Sequence, residues 1–377
     1  MKIIIAPQGF KGSLTAHEAT EAMAKGVKAF NPSIETVSLP IADGGAGTVR
    51  ALVSATHGHL IEEKVHGPLG EKLTAAWGLS GDGTTAFIEV AAASGLALVP
   101  KDKMNPMKTT TFGTGELILA ALKSGCTKMI VGLGDSATVD GGIGMATALG
   151  LQFLDASGNP VPPGGEGLVL LKHIDLSGRN PLLEKCRIQC ACDVTNTLCG
   201  KDGAAYVYGP QKGADPAMVK VLDDALWEYS NVIADDLGWD IADMPGAGAA
   251  GGLGAGMVAF LGATLERGVK LICDAIGFDN YVKDADLVLT GEGRIDLQTA
   301  FGKAAVGIAG RAKAFKKPVI AICGSLGKGY EEVHKHGIDK AVSIMPPGMT
   351  VEQAMKDGAR LLEEATERVV REWLSNN

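Results

Sequence analysis

The chain has 377 residues, 46% of them apolar and only 5% aromatic, with 52 glycines and a net charge of -8. That length suits two domains at roughly 100–200 residues each, and the glycine-rich, aromatic-poor make-up suits a loop-rich α/β enzyme better than an all-β protein. Lys and Arg are scattered, with no basic stripe interleaved with aromatics, which argues against a nucleic-acid partner.

In chain order, Met1-Lys-Ile-Ile-Ile-Ala-Pro7 reads as a buried first strand and is too short for a signal peptide. A polar loop leads to a helix near Thr15–Phe30, stopped by Asn31-Pro32; a strand Ile34–Leu39 and a helix to about Thr56 follow. This βαβα run implies a parallel sheet with ligand loops at the strand C-termini. From about Lys64 to Ile88 the pattern alternates like antiparallel strands, with Gly-Pro and Gly-Asp-Gly turns. Next come a helix Thr114–Lys123, an apolar strand Met129–Val131, a cysteine-bearing strand Arg187–Cys192 and a helix Pro216–Asp236.

Gly246 to Leu265 carries no acidic or basic charge until Glu266 and includes GxxxG spacings. It is mostly Gly and Ala, so burial in a soluble core is expected rather than a membrane span, which needs about 20 strongly apolar residues. The C-terminal part returns to the opening grammar, with strands at Ala285–Thr290, Pro318–Cys323 and Lys340–Met345, a helix starting near Gly302, and an amphipathic closing helix from Val351 to about Leu374. The expected architecture is therefore two α/β domains. A discontinuous, parallel-sheet, Rossmann-like domain spans 1–66 and 285–377, and an inserted mixed-sheet α/β domain spans 67–284.

The seven cysteines are an odd number, and the cluster Cys186, Cys190, Cys192 and Cys199 matches no CxxC or partnering His pattern. Small core fillers in a reducing, cytoplasmic compartment are expected.

Polar residues gather at six Gly-rich junctions. The richest is Val131-Gly-Leu-Gly-Asp-Ser-Ala-Thr-Val-Asp-Gly-Gly-Ile-Gly-Met145, an apolar strand end running into a turn with Asp135, Ser136, Thr138 and Asp140. Glycines admit backbone N–H groups close to a ligand and a helix N-terminus favours anions, whereas carboxylates there call for a metal or a substrate proton. Pro7-Gln-Gly-Phe-Lys-Gly-Ser13 offers Lys11 and Ser13 to a phosphate or carboxylate, with a capped helix start as the competing reading. Ala42-Asp-Gly-Gly-Ala-Gly-Thr48 holds Asp43, a helix cap or a catalytic carboxylate. Thr109-Thr-Thr-Phe-Gly-Thr-Gly-Glu116, with Thr114, is a hydroxyl-rich anion cradle. Cys192-Asp-Val-Thr-Asn196 places Asp193 at a strand end with Asn196 in the same turn. Gly291-Glu-Gly-Arg-Ile-Asp296 packs Glu292, Arg294 and Asp296 into one loop, which suits phosphate with Mg²⁺ or, less sharply, a salt-bridged turn.

Two formal matches are discounted. Gly246-Ala-Gly-Ala-Ala-Gly251 fits GxGxxG but does not follow a strand of a βαβ unit. No GxxxxGK[ST] exists, so ATP would bind without a P-loop. With no His in these loops, Asp is the expected catalytic group.

Taken together, these residues resemble the bacterial type I glycerate kinases over essentially the full chain. The matching segments are Phe10-Lys-Gly-Ser13, Ala42-Asp-Gly-Gly45, Gly113-Thr-Gly-Glu116, Ser136-Ala-Thr138 and Asp140-Gly-Gly142, then Ala191-Cys-Asp-Val194, Gly209-Pro-Gln-Lys-Gly-Ala214, Pro245–Gly252 and Thr290-Gly-Glu-Gly-Arg-Ile-Asp296 with Gly302-Lys303. The resemblance implies ATP-dependent phosphorylation of D-glycerate, toward 2-phosphoglycerate, with Mg²⁺, in a cleft between two α/β domains. Neither membrane nor nucleic acid is an expected partner; a homodimer is possible.

The chain also departs from the family, which usually has Asp-Ser at Gln8-Gly9, Glu at Ala46, Gly at Asp135, Asn at Val139 and Pro at Thr197. These changes keep two alternatives open: a kinase for another small hydroxy acid, and a binding homologue impaired in catalysis. The expected roles are Asp193 as the group that orients or deprotonates the hydroxyl, with Asp43 as second choice. Lys11 and Arg294 would pair with phosphate or carboxylate, and Ser13, Thr114, Ser136, Thr138, Asn196, Lys212 and Lys303 complete the substrate and phosphate contacts. Asp140, Glu292 and Asp296 are the expected Mg²⁺ ligands.

Overall fold

The computed structural model describes residues 1–42, 44–301 and 304–376. It divides into two compact units, Met1–Asp43 with Gly268–Asn377, and Gly44–Arg267.

The first unit is built on a five-stranded parallel sheet in the spatial order Lys340–Ser343, Val319–Cys323, Leu287–Gly291, Lys2–Pro7, Glu35–Ser38. The first strand is interior: Ile3 lies opposite Leu287 on one side and Thr36 on the other. Strand side chains alternate between faces. Ile3, Ile5, Leu287, Leu289, Ile320 and Ile322 accordingly join a core with Met23 and Val27 of helix Ala16–Phe30 and Leu362 and Val369 of helix Gly358–Ser375. Thr15 caps the first of these helices in a reciprocal box with Glu18, which explains why it starts there.

The second unit is mixed. Thr264–Glu266, Arg187–Ala191, Lys128–Gly132 and Thr85–Glu89 run parallel, and Lys72–Leu79 and His59–His66 extend the sheet antiparallel. Its core takes in Trp77, Ile88, Leu117, Val131, Cys190, Tyr229 and Phe260. Asp215 caps the long helix Pro216–Leu237, with Pro216 in the first turn and Gly238 closing it in the left-handed region. The expected α/β architecture, with its discontinuous parallel sheet and inserted mixed sheet, is present.

Three details differ from expectation. The units join at 43/44 and 267/268, ahead of 66/67 and 284/285. Helix Thr48–Ala55 packs on the Lys72–Leu79 and Thr85–Glu89 strands and His59–His66 pairs with Lys72–Leu79, so all this chain belongs to the second sheet. The closing helix is interrupted at Asp357 between Val351–Lys356 and Gly358–Ser375. At the break Ser13 Oγ donates to the Met355 carbonyl at 2.6 Å, and a Cβ at Gly358 would stand 2.4 Å from Ser13 Oγ. The Gly/Ala segment forms Ala249–Leu261, with Ala250, Gly251 and Gly252 left-handed at its start. No helix among the described residues is long and apolar enough to cross a membrane.

Candidate active site

In a parallel sheet all the strand C-termini share one edge, where ligand loops collect. In the second unit the loop after Lys128–Gly132 is organised around Asp140, which is wholly buried. Its Oδ2 accepts from the Thr111 amide and hydroxyl, both at 2.8 Å, and its Oδ1 from the Gly142 amide at 3.1 Å. The carboxylate thereby ties the start of helix Phe112–Lys123 to that of Ile143–Ala148. Burial pushes its carboxyl upward, against the opposing pull of the Thr111 and Gly142 bonds. Tyr229 closes the floor, donating to the Gly141 carbonyl at 2.6 Å.

Above this anchor, the ammonium of Lys212 donates to Ser136 Oγ at 2.8 Å and to the Thr138 carbonyl at 2.7 Å. Lys212 is 3% exposed, and burial lowers its pKa to about 7, opposed by nearby Asp140. Thr138 Oγ1 is buried and has no hydrogen-bond partner among the described residues. Thr114, also buried, shares a 2.8 Å bond with Ser94 Oγ, so its hydroxyl is engaged inside the fold.

Gly44–Gly47 packs on the same edge. Gly134 N donates to the Gly44 carbonyl at 3.0 Å, and Gly44, at φ 95°, leaves 2.8 Å between an added Cβ and the Ala191 carbonyl. Asp135 has a left-handed φ of 58°, which explains a usual glycine there, and its exposed carboxylate accepts from the Ala46 amide at 3.1 Å. Glu89 accepts from the Gly47 and Val49 amides at 3.0 and 3.2 Å, filling the N-terminus of helix Thr48–Ala55; burial raises its pKa against those bonds. Val139 is fully buried in the apolar core.

Asp193 lies just beyond strand Arg187–Ala191 and is exposed. Asn196 is engaged from both ends: it donates to the Asp202 carbonyl at 2.7 Å, accepts from Tyr208 at 2.7 Å, and its carbonyl takes the Gly246 and Gly248 amides. It holds the Gly-rich segment in place.

In the first unit the loops after Lys2–Pro7 and Leu287–Gly291 are neighbours, since Gln8 N donates to the Gly291 carbonyl at 2.8 Å and Gly293 abuts the Lys11 amide. Lys11 is exposed and makes no ion pair among the described residues, whereas Ser13 is committed to Met355. Glu292 is buried at 6% exposure. Arg294 and Asp296 form an ion pair at 3.2 Å, and Asp296 Oδ1 also accepts from the Gln298 amide.

Asp43 and Lys303 lie outside the described residues. Among those described, no three His, Cys, Asp or Glu side chains gather to hold a metal ion. Asp140, with both oxygens taken by N–H and O–H donors, fits an anchoring role and not an open ligand position. The seven cysteines are all free, and Cys186, Cys190 and Cys192 are buried in the core. Thr111, Glu89 and Tyr229 were not singled out from sequence. Of the threonine run at 109–111, Thr111 alone meets a carboxyl group, the protein's own Asp140, whereas Thr109 donates to the Ala137 carbonyl and Thr110 accepts from the Phe112 amide.

The protein-family model of the glycerate kinase family matches residues 3–374. A glycerate 2-kinase of Escherichia coli K12 is 51% identical over 356 residues, covering 94% of this chain and 93% of its own. A glycerate kinase of Halalkalibacterium halodurans is 50% identical over 373 residues, 98% of each chain. A crystal structure assigned to glycerate kinase 2 of Salmonella typhimurium LT2 aligns with a TM-score of 0.90 at 47% identity, covering 100% of this chain and 99% of that one.

Proposed function

This chain belongs to the glycerate kinase family, and from that premise we propose that it uses ATP to phosphorylate D-glycerate at the 2-hydroxyl. The carrying observation is the 51% identity to a glycerate 2-kinase over nearly the whole of both chains. Use of ATP puts the reaction in the cytoplasm.

Phosphoryl transfer needs in-line placement, charge neutralisation and an oriented nucleophile. Asp193, exposed at a strand C-terminus, is proposed to orient or deprotonate the glycerate hydroxyl, with Asp43 as second choice. Lys11 is the cation available to a phosphate or carboxylate; Arg294 would exchange its partner Asp296 for one. Ser136 and Thr138 supply neutral donors. Glu292 and Asp296 would hold Mg²⁺, which would supply charge neutralisation at the phosphates. It is usually held by one or two protein carboxylates together with phosphates, so Glu292 and Asp296 suffice without a three-residue cluster.

The test is ADP release with D-glycerate, beside other small hydroxy acids, with enolase added to detect 2-phosphoglycerate directly. ADP and enolase signal together support the proposal. Turnover only on another acid moves the substrate. A ligand-induced thermal shift without ADP makes the protein a binder, the outcome that the changes at Gln8, Ala46, Asp135 and Val139 would favour.

A further inference from the structure

We infer that Lys212 is a positioning residue for this reaction, holding Ser136 so that the serine hydroxyl donates to an oxyanion of the substrates. The inference rests on the kinase reading above and adds to it the role of a buried cation.

A serine hydroxyl has one proton to donate and two lone pairs, whereas an ammonium can only donate. When Lys212 is protonated, the 2.8 Å contact between its Nζ and Ser136 Oγ therefore has a fixed direction: Lys212 gives and Ser136 receives. The serine's own proton is left over, and among the described residues nothing accepts it. Ser136 is only 6% exposed, so water gives it little relief, and a nearly buried donor without a partner is costly. The second bond of Lys212, to the Thr138 carbonyl at 2.7 Å, fixes the backbone two residues on. There the Thr138 hydroxyl, buried and likewise without a partner among the described residues, offers a second unspent donor. An unspent serine hydroxyl held on a buried positive charge suits a carboxylate or phosphoryl oxygen. Two of the three ammonium donors are engaged inside the fold and Lys212 is nearly fully buried, so it acts through the serine. Glycerate carboxylate and nucleotide phosphate share this chemistry and are told apart by which KM moves.

The experiment measures kcat and both KM values, for D-glycerate and for ATP, in the full-length wild type and in S136A, S136T, K212M and K212M/S136A. S136A and K212M should each lose about ten- to hundredfold in kcat/KM for one substrate, the size of one hydrogen bond to a charged group. The double variant should be no worse than the poorer single by more than about threefold, because both changes remove the same donor. S136T, which keeps a hydroxyl, should recover to within about threefold of wild type. Multiplying losses in the double variant, or wild-type constants in S136A, would overturn the inference. If K212M does not fold, the contrast of S136A with S136T decides alone. If the wild type does not turn over glycerate, the kinase reading fails separately. Calorimetry with ATP and with glycerate as probes then asks the same question, and unchanged affinities for both in S136A would overturn the role given to Lys212.

Discussion

Replacing Asp140 with alanine should destabilise the second unit whether or not any ligand is present. The change orphans buried donors that include the Thr111 amide, the Thr111 hydroxyl and the Gly142 and Gly144 amides. A buried donor left unpaired costs about 1–3 kcal/mol. The Thr111 hydroxyl also accepts from the Met145 amide at 2.9 Å and can turn toward another acceptor, and removing a buried charge returns some desolvation energy. The net cost should therefore be about 3–5 kcal/mol, a large part of the roughly 5–15 kcal/mol that holds a domain together. Asp140→Asn keeps a carbonyl for Thr111 but turns an amide donor toward Gly142 N, so about 1–2 kcal/mol is expected. The assay is urea unfolding of the apo protein in EDTA, followed by fluorescence; Trp77, fully buried in this unit, reports on it. A metal ligand behaves oppositely, because removing its charge leaves metal-free stability unchanged or improved while activity is lost. A loss of less than about 1 kcal/mol in D140A would refute the anchoring role.

The other expectations concern pH, catalysis and packing. Lys212 has a folded-state pKa depressed to about 7, so its contribution is present above the unfolded lysine pKa and is lost as pH falls through about 7. Wild-type stability relative to K212M should thus rise by about 1 kcal/mol per unit from near pH 7 toward pH 10, and a flat difference in urea midpoints would contradict it. Asp193→Ala should lower kcat about 10²–10⁴-fold with an unchanged melting temperature; near-native turnover would remove Asp193 from the base role. Gly251→Ala should cost more than about 2 kcal/mol, because Gly251 sits at φ 73° with an added Cβ 1.9 Å from the Thr138 carbonyl. A fully stable, fully active G251A by thermal denaturation and ADP assay would refute that contact.

Strands and long helices were legible because their apolar periods and caps are local. Ile3 and Ile5 share one face, Thr15 pairs with Glu18, and Asp215 precedes Pro216. What escaped depends on partners distant in the chain. The break in the closing helix needs Ser13, over 300 residues away, to occupy the Met355 carbonyl. The first unit's boundary needs His59–His66 to have chosen its neighbour. At the candidate site, residue types could be read, but not whether each polar group faces a ligand or the protein. Asp140, Thr114 and Asn196 all carry suitable chemistry and all spend it internally, whereas Ser136 retains a proton. Asp135 shows the same limit: a carboxylate in a glycine-like conformation, bonded to the backbone of Ala46, is a local exchange of groups between two loops that no single motif displays.

The first unit's divided sheet sets an order of assembly. Lys2–Pro7 leaves the ribosome first, yet one of its two neighbours, Leu287–Gly291, is not made until the whole of Gly44–Arg267 has emerged. The inserted unit is continuous and can close its own core meanwhile. Until then the apolar run Ile3-Ile4-Ile5 can pair only with Glu35–Ser38 and keeps one unpaired edge. An interior strand of the sheet is thus the earliest segment to be synthesised and among the last to be completed. The growing polypeptide is most exposed to wrong strand pairing just before its final third arrives.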